Sequence, residues 1–253
     1  MSLSAIVITL NEAAQIEECL ASLDWVDEII VVDAESTDAT VEIARRHTDR
    51  VFVRPWVGYG PTRNWALEQA RGDWILVVDA DERVPPGLRR EIESAISRRD
   101  APDAFYIPRR LIFLGHRLRH GGSYPDYQLR LLRRGRGSYG DHLVHESLQV
   151  TGPQGWLHEP LVHYSHRDLP HYLAKAAQYA WAGARERMRQ GYSIGWLRLV
   201  LGPGGEFLKR YFLRAGFLDS WPGFLYCALS SWQTAVKYLA WRKLQRQVAR
   251  PAR

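Results

Sequence analysis

Asp79-Ala80-Asp81-Glu82, directly after the apolar run Trp74 to Val78, is the densest concentration of chemistry in the sequence. Carboxylates two residues apart in extended chain project from the same side. A hard divalent cation takes oxygen ligands, so Asp79 and Asp81 could hold Mg²⁺ or Mn²⁺ against a diphosphate. The cation would neutralise charge building on a leaving group. An acidic turn opening a helix is the plainer alternative. Other residues fit the same ligand: Asp33 could accept hydrogen bonds from a uracil or a ribose, and the backbone of Thr9, Leu10, Asn11 and Glu12 could flank a base. Arg63 is placed to meet a phosphate or to orient an acidic side chain.

Positioning these groups requires a sheet. Ala5–Leu10, Glu28–Val32, Val51–Val53 and Trp74–Val78 read as strands of near-continuous apolar character. Helical spacing follows the first, second and third of them: Ile16, Cys19, Leu20 and Leu23; then Val41, Ile43 and Ala44, capped from Ser36, Thr37 and Asp38; then residues 61–70, which Gly72 can terminate. Pro85 and Pro86 open another helix carrying Leu88, Ile92, Ala95 and Ile96. This alternation predicts an α/β fold, a mixed, mostly parallel sheet flanked by helices, with ligands bound beyond the carboxyl ends of the strands. Further strands are expected at 105–108, 127–133 and 161–164, and a helix at 169–190. The domain boundaries expected are 1–168 for a catalytic domain, with a nucleotide-sugar half to about residue 100 and an acceptor half at 101–168, and 169–253 for a helical extension.

Thr9-Leu10-Asn11-Glu12, Val32-Asp33-Ala34-Glu35-Ser36-Thr37-Asp38, Gly60-Pro61-Thr62-Arg63-Asn64 and Val77-Val78-Asp79-Ala80-Asp81-Glu82 resemble, in this order, the motifs of family 2 glycosyltransferases with the GT-A fold. Tyr124-Pro125-Asp126, Leu129-Arg130-Leu131 and Val144-His145-Glu146 resemble the branch containing lipopolysaccharide core β-1,4-glucosyltransferases. The resemblance implies a UDP-sugar donor, with UDP-glucose favoured, and inverting transfer to the hydroxyl of a lipid-linked saccharide. It implies donor contacts from Thr9, Leu10, Asn11, Glu12, Asp33, Ser36, Arg63, Asp79, Ala80, Asp81 and Arg130, and acceptor contacts from His145 and Tyr124. Glu146 is the expected base and Asp126 the second choice; a surface carboxylate is the alternative for the first, an exposed turn for the other. Proteins of this fold can complete the metal shell with a late histidine, and His163, after Leu161-Val162, matches by order. A polyprenyl phosphate carrier is the alternative acceptor.

Arg130, Arg133, Arg134 and Arg136 form a basic run, in which Arg130 alternates with Leu129 and Leu131 and so points off an apolar strand face. Four histidines at 158, 163, 166 and 171 do not make a zinc site, because neither cysteine is near and compact paired spacing is missing.

Charge divides the 253-residue chain. Residues 1–100 hold 11 basic and 19 acidic side chains, while the remainder stands at +14. Such a front end suits a cation, and the remainder suits phosphates or anionic lipid. Residues 201–253 carry 9 basic and 2 acidic groups interleaved with aromatic rings, and the longest charge-free run, Ser220 to Val236, contains Pro222 and Gly223. The expectation is peripheral binding to the cytoplasmic face of a membrane through amphipathic helices. The competing reading packs a helical hairpin on the catalytic domain or on a second copy in a homodimer. Two distant cysteines and the lack of a signal peptide pattern favour the cytoplasm.

Other classes fit less well. A nicotinamide dehydrogenase needs Gly-x-Gly-x-x-Gly after the first strand, and Thr9 to Ala14 contains no glycine. A nucleic-acid-binding module leaves the acidic cluster where phosphates must approach, so no nucleic acid partner is expected. A catalytically silent nucleotide-binding protein would share every donor motif.

Overall fold

A computed structural model describes residues 1–140, 148–166 and 169–248. Two compact units divide the chain. The first comprises Met1–Arg110 and Asp126–Tyr164, and the second Leu111–Pro125 with the chain from Ser165 onward.

In the first unit, β1 (Leu3–Thr9), α1 (Ile16–Ala21), β2 (Glu28–Asp33), α2 (Thr40–Ala44), β3 (Val51–Val53), α3 (Tyr59–Gln69) and β4 (Trp74–Asp79) alternate as the apolar runs require. There follow along the chain β5 (Glu82–Arg83), α4 (Pro86–Ser97), β6 (Ala104–Phe113), β7 (His116–Arg117), which falls in the second unit, β8 (Asp126–Arg133), β9 (Gly137–Tyr139), β10 (Leu148–Val150), β11 (Gln154–Trp156) and β12 (Leu161–His166). The main sheet runs β3-β2-β1-β4-β8-β6-β12-β5. Strands β1 to β4 are mutually parallel, while β8 joins β4 antiparallel and reverses the sense of the sheet. A mixed sheet flanked by helices is thus what forms.

Alternation in the strands sorts two cores. Ala5, Val7, Val31, Leu76 and Val78 pack beneath α1 and α4, through Ile16, Cys19, Leu20, Leu88 and Ile92. Ile6, Ile30, Val32, Ile75 and Val77 face the other side, with Ala66 and Ala70 of the α3 segment. Each fully buried Val, Leu or Ile contributes about 1.5–3 kcal/mol, so the carboxyl ends of these strands are held on a rigid base.

Local chemistry departs from expectation at two points. Only Asp38 of the expected cap serves α2, accepting from the Thr40 N–H at 3.0 Å and from the Thr40 hydroxyl. Ser36 and Thr37 turn back toward Asp33 and Asn11 instead. Gly72 does not close a helix in the left-handed conformation; a Cβ there would lie 2.7 Å from the Ser4 nitrogen, so glycine is needed for backbone approach to β1.

The second unit holds α5 (Leu169–Arg189), α6 (Trp196–Leu208) and α7 (Ser220–Val248), with a π-helical turn at Lys209–Leu213 and a 3-10 turn at Gly216–Asp219. Its own cores gather Phe113, Leu118, Tyr172 and Ala176, and Ala184, Ile194, Ala240 and Trp241. Among the described residues no helix is long and apolar enough to cross a membrane.

Candidate active site

The site is built where β1, β2 and β4 end. Asn11 adopts φ +54°, and its amide donates to the Ser36 hydroxyl at 2.7 Å while its side-chain oxygen accepts from the Thr37 amide at 2.8 Å. Glu12 donates its amide to the Thr40 hydroxyl at 2.9 Å. Asn tolerates the left-handed region better than most residues, so the β1–α1 and β2–α2 loops are laced into one rim. Asp33 is fully buried and accepts from the Ser36 amide at 2.8 Å and hydroxyl at 2.5 Å. Leu10 stands exposed on this rim, and Thr9 is buried with its hydroxyl lacking a partner among the described residues.

At the end of β4 the chain does not stay extended. It turns at Ala80-Asp81 before β5, and Ala80 enters the core beside Val78. Asp79 and Asp81 consequently meet different partners. The Asp79 carboxylate accepts from Arg63 Nη2 at 2.8 Å and from Arg130 Nη2 at 2.5 Å. Burial alone would raise its pKa, but the Arg130 and Arg63 guanidiniums outweigh burial and hold it well below the usual carboxylate range. Asp81 lies against His163, with Oδ2 and Nε2 3.3 Å apart. Strand β12 makes that contact, because His163 pairs in register with Glu82 and the Tyr164 amide donates to the Asp81 carbonyl at 2.8 Å. Helix α1 supports the turn through the Cys19 thiol, which donates to the Asp79 carbonyl.

Glu82 is the residue whose part sequence reasoning missed. It is fully buried, accepts from the Asp79 amide at 2.9 Å and from Arg130 Nη2 at 3.0 Å, and has Arg109 Nη1 at 3.6 Å. Its pKa is raised by burial, against the lowering pull of Arg130. Arg130, also buried, bridges Asp79 and Glu82, so it belongs to the interior of the site and not to a solvated basic run. Arg133 and Arg136 instead pair with Asp103, at 3.4 and 3.9 Å, and Arg133 lies over the Trp74 ring. Arg109 was legible only as one arginine among many. It holds Asp126 through Nε at 2.9 Å and through Nη2. Burial opposes the effect, yet the Arg109 charge keeps Asp126 below the usual carboxylate range, which makes it a weak base.

Tyr124 belongs to the second unit, where it lines a cavity with Arg119, His120 and Arg214. His145 and Glu146 lie outside the described residues.

A divalent cation fits part of this donor set. Among the described residues no trio of His, Cys, Asp or Glu side chains converges on one point. Asp81 and His163 nevertheless offer an oxygen and a nitrogen from side chains in contact, and small cations in phosphate sites are commonly held by one or two protein ligands completed by substrate oxygens and water. Each Asp79 oxygen already accepts from a guanidinium, so Asp79 could join only by sharing those lone pairs.

The model of glycosyl transferase family 2 matches residues 4–147. A lipopolysaccharide core biosynthesis glycosyltransferase, LpsC, of Rhizobium meliloti is 29% identical over 91% of both chains. An uncharacterized glycosyltransferase of Rickettsia bellii is 30% identical over 88% of this chain and 80% of its own. The crystal structure of mannosyl-3-phosphoglycerate synthase from Rubrobacter xylanophilus aligns with a TM-score of 0.49 at 17% identity, covering 75% of this chain and 74% of its own.

Proposed function

The chain belongs to glycosyl transferase family 2, and on that premise we propose that it transfers a hexose, glucose in the first instance, from a UDP-sugar to a hydroxyl of a membrane-anchored glycolipid such as the lipopolysaccharide inner core. The observation that carries this reading is the Asp81–His163 pair beside the Arg63–Asp79–Arg130 bridge at the carboxyl edge of the parallel strands. The acceptor class follows the likeness to LpsC, which extends over nearly the whole length of both proteins.

In this reading the laced rim of Thr9, Leu10, Asn11 and Glu12 receives the base, with Asp33 and Ser36 beneath it. Asp81 and His163 hold Mg²⁺ or Mn²⁺, with Asp79 alongside. When bound, the ion supplies positive charge to the departing diphosphate. Arg63 and Arg130 fix Asp79 and add positive potential to the donor side. Glu146 takes the proton of the acceptor hydroxyl as that oxygen attacks the anomeric carbon from the face opposite UDP, inverting the centre. His145 orients the acceptor. The protein works at the cytoplasmic face of the membrane.

Asp126 is a poorer base because Arg109 holds it, and this gives a test. Glu146→Gln is expected to leave UDP-sugar affinity within about twofold and to lower transfer by 10²–10⁴-fold, the usual range for a lost general base. Asp126→Asn should lower turnover far less, and the reverse ranking measured in single-turnover assays would transfer the role to Asp126. Radiolabelled nucleotide sugars presented with membrane lipid extracts test the substrate pair itself: label should pass from UDP-glucose into a glycolipid. Incorporation into polyprenyl phosphate would redirect the acceptor, and UDP binding without any transfer would mark a silent nucleotide-binding protein.

A further inference from the structure

The second unit contains a basic cavity that the donor chemistry does not use. It measures about 430 Å³ and is lined by Arg119, His120, Gly122, Tyr124, Pro125 and Arg214. Its construction is specific. The Arg119 and His120 amides donate to Asp219 Oδ2 at 2.9 and 2.8 Å, and His120 Nδ1 meets Asp219 Oδ1 at 2.9 Å. The Gly121 amide donates to the Arg214 carbonyl at 2.8 Å, and Arg210 Nη1 donates to the Gly121 carbonyl at 3.0 Å. Gly121 and Gly122 take φ +65° and +76°, and a methyl group on Gly122 would collide with the Arg214 guanidinium. Two successive glycines therefore let Arg214 lie across the loop.

Charge follows from this architecture. Asp219, which anchors the loop, has both oxygens taken by two amides and His120, so it does not pair with the guanidiniums of Arg119 and Arg214. Neither of those two has a carboxylate partner among the described residues. With Nδ1 turned to Asp219, Nε2 is the His120 atom left for a ligand. Two guanidiniums and an imidazole around an open cavity suit the oxygens of a phosphate.

The segment that carries Arg214 also leaves Phe212, Leu213, Phe217, Leu218 and Trp221 exposed, Leu213 to 84%. Aromatic and aliphatic side chains beside these arginines match the interface of a bilayer, where apolar groups enter the headgroup layer and cations meet lipid phosphate.

We infer that this cavity holds the phosphate of an anionic bilayer lipid while the apolar residues at 212–221 enter the headgroup layer beside it. The inference gives the membrane-anchored acceptor of the proposed function a docking surface, and rests on that reading. Its test uses vesicles without donor or acceptor sugar, so its failure is distinguishable from failure of sugar transfer. Co-sedimentation of the full chain is measured with phosphatidylcholine vesicles and with vesicles also containing phosphatidylglycerol. Binding is expected to the second kind only, and R119Q/R214Q should weaken it about 25-fold, near fivefold for each guanidinium lost. L213S/F217S should weaken binding with both arginines in place. Both arginines and both apolar residues are exposed, so circular dichroism should be unchanged in each variant. Equal binding to neutral vesicles, or anionic binding unaffected by R119Q/R214Q, would overturn the inference. So would protein that ignores both kinds of vesicle and self-associates, which would give the apolar segment to a second copy.

Discussion

Asp81→Ala is expected to lower kcat/KM for sugar transfer by about a thousandfold while leaving the fold intact. The magnitude follows from charge: a cation on a leaving diphosphate supplies several kcal/mol in the transition state, and about 4 kcal/mol is a factor of 10³. Removing the Asp81 carboxylate leaves His163 as the other member of the pair, since Asp79 is already engaged by Arg63 and Arg130. The backbone contact that shapes the turn, from the Tyr164 amide to the Asp81 carbonyl, survives the substitution, so thermal unfolding should shift by only a few degrees. Steady-state rates across a Mn²⁺ titration check this. Full activity of the variant at saturating metal would count against the assigned site.

Arg130→Met is expected to act chiefly on stability. Arg130 is buried between Asp79 and the fully buried Glu82. Its removal leaves Asp79 to Arg63 and leaves the buried Glu82 with the Asp79 amide and the more distant Arg109, and breaking a buried pair by deleting one partner costs about 3–5 kcal/mol. For a domain of this size that lowers Tm by roughly 10 °C. The loss depends on pH with a definite sign. Burial raises the Glu82 pKa above the ordinary 4.5, so its favourable contribution is complete below that value and fades as pH rises through the folded value. Without the Arg130 charge the folded value rises further, so the unfavourable window widens toward neutrality. The Tm deficit of the variant should therefore be larger at pH 8 than at pH 5. A deficit that is pH-independent would mean that Glu82 is solvated in the variant.

The first half of the fold was open to reading from sequence because its signals are local. Apolar runs of strand length followed by helical spacing predict β1 to β4 with their helices, and Pro86 opens α4 as its fixed φ requires. The short strands β5, β7, β9, β10 and β11 span two or three residues each and carry no periodicity, so nothing within them announces a strand. The same limit hid the turn at Ala80-Asp81. Treating Asp79-Ala80-Asp81 as extended puts both carboxylates on one side, whereas β5 pairing with β12 turns the chain and gives Asp81 to His163. Placing His163 near the acidic motif required a resemblance, because 82 residues separate the two in sequence. Glu82 and Arg109 were missed for a related reason. The pairing of β8 with β4 on one side and with β6 on the other puts Arg130, and with it Arg109, among the carboxylates at the end of β4. Such pairing is long-range and leaves no mark on local composition.

Calorimetric titration of UDP into the wild-type chain and into His163→Ala tests the central claim most directly, because it isolates the cation bridge from transfer and from the membrane. The account predicts that wild-type protein binds UDP at least tenfold more tightly with Mn²⁺ than with a chelator, the worth of about 1.4 kcal/mol, and that His163→Ala loses most of this difference while keeping the metal-free affinity. UDP affinity that is identical with and without the cation in the wild-type chain would contradict it.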